Sequence, residues 1–77
     1  MDEPMSLTPR QKDCLDFIVS YTRDRGYSPN YREIAEGIGV KAISNVHYYV
    51  ERLKVRGYVK TVYGSERSIE VLKTSAI

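Results

Sequence analysis

The sequence has a single cysteine, no tryptophan and no long apolar run. One thiol cannot form a disulfide within the chain, and Cys14 lies in DCLDFIV on an apolar helical stripe, so we expect a buried structural thiol rather than a nucleophile. No stretch approaches the roughly 20 apolar residues of a membrane span. The short acidic start MDEPM is unlike a signal peptide. These features predict a cytoplasmic protein.

The chain also has little room for more than one folded unit. Its 77 residues, 42% of them hydrophobic, suffice for one small core. It contains no internal repeat and no low-complexity tract. We therefore expect a single domain over residues 1–77, with a core at about 6–72 and frayed termini.

The net charge of +2 is small, but it is unevenly distributed. Residues 1–39 carry five basic and seven acidic groups, a net of −2, whereas residues 40–77 carry seven basic and three acidic groups, a net of +4. A surface that faces a polyanion needs such a local excess of positive charge. The alternative is chance variation in a short chain.

Two capping boxes predict the starts of two helices. Thr8 precedes Gln11 by three residues, with proline at the first helical position, and Asn30 stands in the same relation to Glu33. The first helix is predicted over about residues 9–25 and the second over two turns that end before Gly39. The first carries apolar residues at helical spacing: Cys14, Leu15, Ile18, Val19 and Thr22.

A third helix is predicted from Ser44, taken as its cap, to Gly57, after a turn over residues 40–43. At 100° per residue one side of this helix is apolar and predicted to be buried. That side comprises Val46, Tyr49, Val50 and Leu53. The opposite side and its flanks hold Ser44, Asn45, His47, Tyr48, Glu51, Arg52 and Val55.

After the third helix the apolar period changes from 3.6 to two. YVKTVY (58–63) and SIEVL (68–72) read as strands joined by the loop GSER (64–67). A two-stranded hairpin is marginal alone, so Val59 or Val62 and the Ile69/Val71 side should pack on the helices. Three helices followed by a hairpin predict a mainly α fold with a small β-hairpin, the winged helix-turn-helix. In this fold the third helix enters the major groove of DNA, and the hairpin wing is expected on the backbone or in the minor groove.

Several short motifs support this interpretation. They are LTPRQ at the start of the first helix, SP before the second, REIAEGIG through the helix-turn-helix, and Gly64-Ser-x-Arg67 in the hairpin. Over about residues 6–72 the chain resembles the N-terminal DNA-binding domain of the LexA family of bacterial repressors. Members of that family continue into a self-cleaving protease domain. Since this chain ends at Ile77 without a Ser/Lys dyad, the expectation is a truncated or free-standing relative without self-cleavage.

The outward residues of the third helix suit base recognition. Asn45 can pair with adenine through two hydrogen bonds, His47 can contact guanine or phosphate, and Tyr48 can contact a thymine methyl group or phosphate. Ser44 can do either or cap the helix. Each can instead be an ordinary polar surface residue. The candidates for contact with the DNA backbone are Arg32, Lys41, Arg52, Lys54, Arg56, Lys60 and Arg67.

The leading hypothesis is a sequence-specific regulator of transcription that binds double-stranded DNA, most simply as a repressor. The alternatives are a winged-helix module for protein contact and, less favoured, a single-strand binder that stacks bases on tyrosines. A homodimer on a palindromic operator and a protein partner stay open. We expect no enzyme activity, no cofactor, and no metal ion, since no second ligand is placed to join His47.

Overall fold

The computed structural model describes residues 7–62 and 67–73, and it contains three helices followed by two short strands. In chain order these are α1 (Pro9–Arg25), α2 (Tyr31–Ile38), α3 (Ile43–Val55), β1 (Val59–Thr61) and β2 (Ile69–Val71). The order confirms the predicted winged helix-turn-helix. Within these residues no helix is long and apolar enough to cross a membrane.

Both predicted capping boxes are present. The Thr8 hydroxyl accepts from the Gln11 backbone N–H, and the Gln11 side chain accepts from the Thr8 N–H, each at 3.2 Å. At α2 the reciprocal bonds between Asn30 and Glu33 measure 2.8 and 2.9 Å. These bonds satisfy backbone donors that a helix start otherwise leaves unpaired, so both helices begin where the sequence predicts.

The core forms where the apolar faces of the three helices meet the hairpin. Its buried members are Cys14, Leu15, Ile18, Ile34, Ala35, Val46, Val50, Leu53, Val59 and Ile69. The predicted apolar side of α3 is confirmed, with Tyr49 half-buried at its margin. The small side chain of Ala35 is buried in α2, as the close packing of the helices requires.

The start of α3 differs from the prediction. The N-cap is Ala42, in an extended conformation, and it makes no side-chain cap hydrogen bond. α2 ends at Ile38 with Gly39 as its C-cap, and Val40 packs on the core. Only two residues then separate Val40 from α3, which begins at Ile43. The prediction that Ser44 caps the helix is wrong. The helix also ends earlier than predicted, at Val55.

The hairpin is shorter than predicted, with three residues in each strand. The strands are antiparallel, and Val59 pairs with Val71, Lys60 with Glu70, and Thr61 with Ile69. Val59 and Ile69 are the residues that enter the core, whereas Val62 is 51% exposed. The predicted loop 64–67 lies outside the described residues except for Arg67.

Candidate nucleic-acid interface

Four exposed side chains occupy the outward side of the first turns of α3. Ser44, Asn45, His47 and Tyr48 are all exposed, and 58% of the Tyr48 surface is accessible to solvent. We call these four residues the reading edge. Because the cap position belongs to Ala42, the Ser44 hydroxyl has no capping role and stands with the other three.

The buried side of α3 sets the direction in which the reading edge points. Val46, Val50 and Leu53 have at most 1% of their surface exposed, which fixes the rotation of the helix about its axis. The turn from α2 into α3 passes through Gly39, whose φ of 77° suits glycine. The Val40 N–H then donates to the Ala35 carbonyl at 3.0 Å, so the turn is closed by a backbone hydrogen bond.

A hydrogen bond that the sequence did not predict holds the C-terminal end of α2 against α1. The Arg10 guanidinium, at the start of α1, donates to the Ile38 carbonyl at 2.9 Å and also pairs with Asp13 at 3.3 Å. A cation at a helix C-terminus satisfies an unpaired carbonyl and complements the helix dipole. Arg10 and Ile38 are 28 residues apart, so no local pattern could have predicted the contact.

The reading edge is joined to α2 by an aromatic contact. The rings of Tyr31 and His47 lie 4.3 Å apart between centroids, at 71° to each other. Burial raises the pKa of the Tyr31 hydroxyl, and the charge of Glu51 adds to that effect. Tyr31 is thus a neutral, half-buried support beside an exposed imidazole.

Four of the predicted backbone-contact residues have no ion pair within the described part of the chain: Arg32, Lys41, Arg52 and Arg56. Arg32 and Lys41 are exposed, and Arg52 is half-buried. Arg32 follows the first residue of α2, and Lys41 lies in the turn just before α3. Lys41 and Arg52 flank the reading edge along the chain, whereas Arg32 lies on α2.

Two other predicted cations are paired with acids. Lys54 lies 3.2 Å from Glu51, and Lys60 lies 3.1 Å from Glu70 across the hairpin. Both pairs are solvent-exposed, so each contributes only about 0–1 kcal/mol and can exchange its acid for a phosphate. Arg56 is half-buried, and its Nε is buried without a hydrogen-bond partner.

Arg67 is held by an internal cluster. Its guanidinium makes two bonds to the Glu33 carboxylate, at 2.7 and 2.9 Å, and a third to the Ser28 carbonyl at 2.9 Å. It also lies 4.7 Å above the Tyr27 ring. Hydrogen bonds from Arg67 and from the Asn30 backbone lower the pKa of Glu33 to about 2. The hydrogen bonds with Glu33 raise the pKa of Arg67.

The interior holds a single thiol. Cys14 is fully buried, as predicted, and burial raises its pKa to about 12, although the charge of Arg10 opposes the shift. In residues 7–62 and 67–73 no group of three or more His, Cys, Asp and Glu side chains is arranged to hold a metal ion.

The comparisons with known proteins agree with the geometry of α2 and α3. The family model of the LexA DNA binding domain matches residues 4–68. A LexA repressor of Koribacter versatilis is 44% identical over 69 residues, which is 90% of this chain and 33% of the relative. One from Desulfatibacillum aliphaticivorans is 40% identical over 68 residues, 88% of this chain and 34% of the relative. The chain spans about a third of the length of these curated relatives.

Proposed function

Since this chain belongs to the LexA DNA binding domain family, we propose that it binds double-stranded DNA sequence-specifically and represses transcription. The observation that supports this most directly is the division of α3 into two sides. One side is buried in the core, and the other presents the reading edge to solvent. A helix so fixed can enter a major groove without rearrangement of the domain.

In this proposal α3 lies in the major groove with its N-terminal turns at the base edges. The Asn45 amide pairs with adenine through two hydrogen bonds, and the His47 imidazole contacts guanine. Tyr48 packs against a thymine methyl group, and the Ser44 hydroxyl contacts a base or a phosphate at the rim. A good bidentate contact discriminates against the wrong base by about 1–3 kcal/mol, so Asn45 contributes most to specificity.

Phosphate contacts set the register of the helix on the duplex. Arg32 and Lys41 are exposed cations without an internal ion pair in the described residues, and Arg52 extends the same set along α3. Lys54, Arg56 and Lys60 are weaker candidates for phosphate contact. Lys54 and Lys60 must first break an ion pair with an acid, and the Nε of Arg56 is buried. The hairpin lies over the adjacent backbone or minor groove.

Repression follows by occlusion of a promoter in the bacterial cytoplasm. The names of the relatives, LexA repressor, support this part of the proposal. A single domain of this size makes few base contacts, so two copies on a palindromic operator give the affinity that occlusion needs.

The test is selection of binding sites from a random duplex library. The enriched duplex is then titrated beside a scrambled one at two salt concentrations. We expect enrichment of a defined sequence and tighter binding to it. Failure to enrich any sequence, together with binding that does not change with salt, would leave protein contact as the better hypothesis.

Two substitutions separate base recognition from phosphate contact. Asn45→Ala and His47→Ala should each weaken binding to the selected site while leaving binding to scrambled DNA nearly unchanged. An equal loss on both duplexes would mean that these side chains touch only the backbone. Arg23→Ala, an exposed cation at the end of α1, is the matched control and should change neither.

A further inference from the structure

We propose that Arg67 is a positioning residue, which holds the hairpin wing against the start of α2, and that it does not act as a phosphate contact. The inference rests on the proposed function, because it concerns where the wing lies when α3 is on DNA. It assigns Arg67 a role different from the one that its basic character predicts.

The geometry of the guanidinium favours an internal role. Two of its nitrogens engage the Glu33 carboxylate in a paired arrangement, and one of them also donates to the Ser28 carbonyl. A paired contact between two planar groups fixes direction as well as distance. The Tyr27 ring lies against the guanidinium at 4.7 Å and limits its movement on that side.

The partners of Arg67 are themselves fixed. One Glu33 oxygen accepts two hydrogen bonds. The first comes from the Arg67 guanidinium at 2.7 Å, and the second from the Asn30 N–H of the capping box at 2.9 Å. Ser28 is buried, with 7% of its surface exposed. Glu33 and Ser28 are 34 and 39 residues from Arg67 along the chain, so the cluster ties the wing to the start of α2.

Electrostatic repulsion also disfavours contact between this cluster and a DNA phosphate. A phosphate that approached Arg67 would approach the Glu33 carboxylate, less than 3 Å away, and would meet its negative charge. If Arg67 moved to the phosphate, Glu33 would lose its counter-charge. By contrast, Arg32 is exposed on α2 and has no acid partner among the described residues.

The experiment compares three variants. Glu33→Gln keeps a hydrogen-bonding side chain at the third helical position, which preserves the capping box, but removes the ion pair. Arg67→Ala removes the other partner, and the third variant combines both changes. Asp24→Asn is the matched control, because it breaks an exposed ion pair that involves none of the proposed DNA contacts. Each protein is confirmed to be folded by circular dichroism at the assay temperature, and its affinity for the selected duplex is measured across salt concentrations.

A positioning role predicts that Glu33→Gln and Arg67→Ala each weaken binding by roughly tenfold, that the double variant is no weaker than either, and that the salt slope is unchanged. Asp24→Asn should bind like the wild type. The proposal is overturned if Arg67→Ala lowers the log–log salt slope by about 0.9 while Glu33→Gln binds normally, because that pattern identifies a phosphate contact.

A measurement without DNA distinguishes this inference from the proposed function. Nuclear Overhauser contacts between the Arg67 methylenes and the Tyr27 ring should be present in the free wild-type protein and lost in Glu33→Gln. Their persistence in Glu33→Gln, or their absence from the wild type, overturns the positioning role. Failure of the wild type to bind any duplex would instead refute the proposed function and leave this result standing.

Discussion

The imidazole of His47 packs at 71° to the ring of Tyr31, which belongs to a different helix. An exposed His side chain samples several rotamers. A fixed neighbour restricts those rotamers, so the side chain loses less conformational entropy when it is ordered on DNA. Aromatic pairs of this kind contribute about 0.5–1.5 kcal/mol. We therefore treat Tyr31 as the support of His47 within the reading edge.

Tyr31→Leu should reduce discrimination at the base pair that His47 is proposed to contact by roughly two- to tenfold, while discrimination at the position proposed for Asn45 stays the same. Tyr31→Phe keeps the ring and should behave like the wild type. Competition titrations with duplexes that differ at one base pair measure the effect. If the leucine variant discriminates as well as the wild type, the ring contact has no part in recognition.

Cys14 should be chemically inert in the folded protein. Burial raises its pKa to about 12, so near pH 8 almost no thiolate exists to react, and no solvent reaches the sulfur. A disulfide reagent such as 5,5′-dithiobis(2-nitrobenzoate) should modify it only as fast as the protein opens. Full reaction in guanidinium chloride is the control. Rapid modification of the native protein would contradict the burial.

At the scale of elements, the approach of α1 to α2 depends on Gly37. A β-carbon at this position would overlap the ring of Phe17, which lies against α2. Both residues line a groove of about 330 Å³ between the helices, together with Tyr21, Arg25, Glu33 and Glu36. The absence of a side chain at Gly37 lets the two helices pack at their present distance.

Gly37→Ala should lower the free energy of unfolding by about 1 kcal/mol. Overpacking costs roughly 1–3 kcal/mol, and the better helix propensity of alanine returns only about 0.5–1 kcal/mol. Urea unfolding measures the difference. In a Phe17→Ala background the same substitution should be stabilising, because the clash is gone. Equal effects in the two backgrounds would show that the ring moves aside without cost.

The sequence predicted the elements whose signals are local. Both capping boxes and the buried side of α3 were correct, because they depend on residues three or four positions apart. Ser44 was misassigned as a cap because the start of α3 is set by the length of the turn that follows Gly39, which no local residue pattern specifies. The Arg10 bond to Ile38 and the Arg67 cluster escaped prediction because their partners are 28 to 39 residues away. The reading edge itself stays a prediction.

The junction of the wing with α2 should weaken in acid. The pKa of Glu33 is lowered from 4.5 to about 2, chiefly by the hydrogen bonds from Arg67. Because the pKa of Glu33 is lower in the folded than in the unfolded protein, the ionised carboxylate stabilises the fold at any pH above about 4.5. That stabilisation is lost as the pH falls from about 4.5 towards 2. Urea unfolding at pH 6 and pH 3 should therefore show a smaller loss for Glu33→Gln than for the wild type. Identical losses would mean that Glu33 titrates normally.

On the scale of the whole molecule, positive charge is concentrated in the half of the chain that contains α3 and the hairpin. Residues 40–77 carry a net of +4 against −2 for residues 1–39. In the structure, three of the cations in this half form ion pairs with acids. Lys54 and Lys60 pair with exposed acids, and Arg67 pairs with Glu33. Among the cations predicted to contact the DNA backbone, Lys41, Arg52 and Arg56 in this half and Arg32 on α2 have no ion pair within the described residues. Arg32, Lys41 and Arg52 are the main candidates, because the Nε of Arg56 is buried.

The salt dependence of DNA binding should reflect this small number. On a half-site duplex that one domain occupies, three phosphate contacts give a slope of roughly −3 in a plot of log affinity against log salt. Arg32→Ala, Lys41→Ala and Arg52→Ala should each reduce its magnitude by about 0.9, equally on specific and random duplexes. Fluorescence anisotropy between low and physiological salt measures the slope, and Arg23→Ala should leave it unchanged. A slope near −5 would show that Lys54 and Lys60 exchange their acids for phosphates, whereas a slope near zero would remove electrostatic contact with DNA from the mechanism.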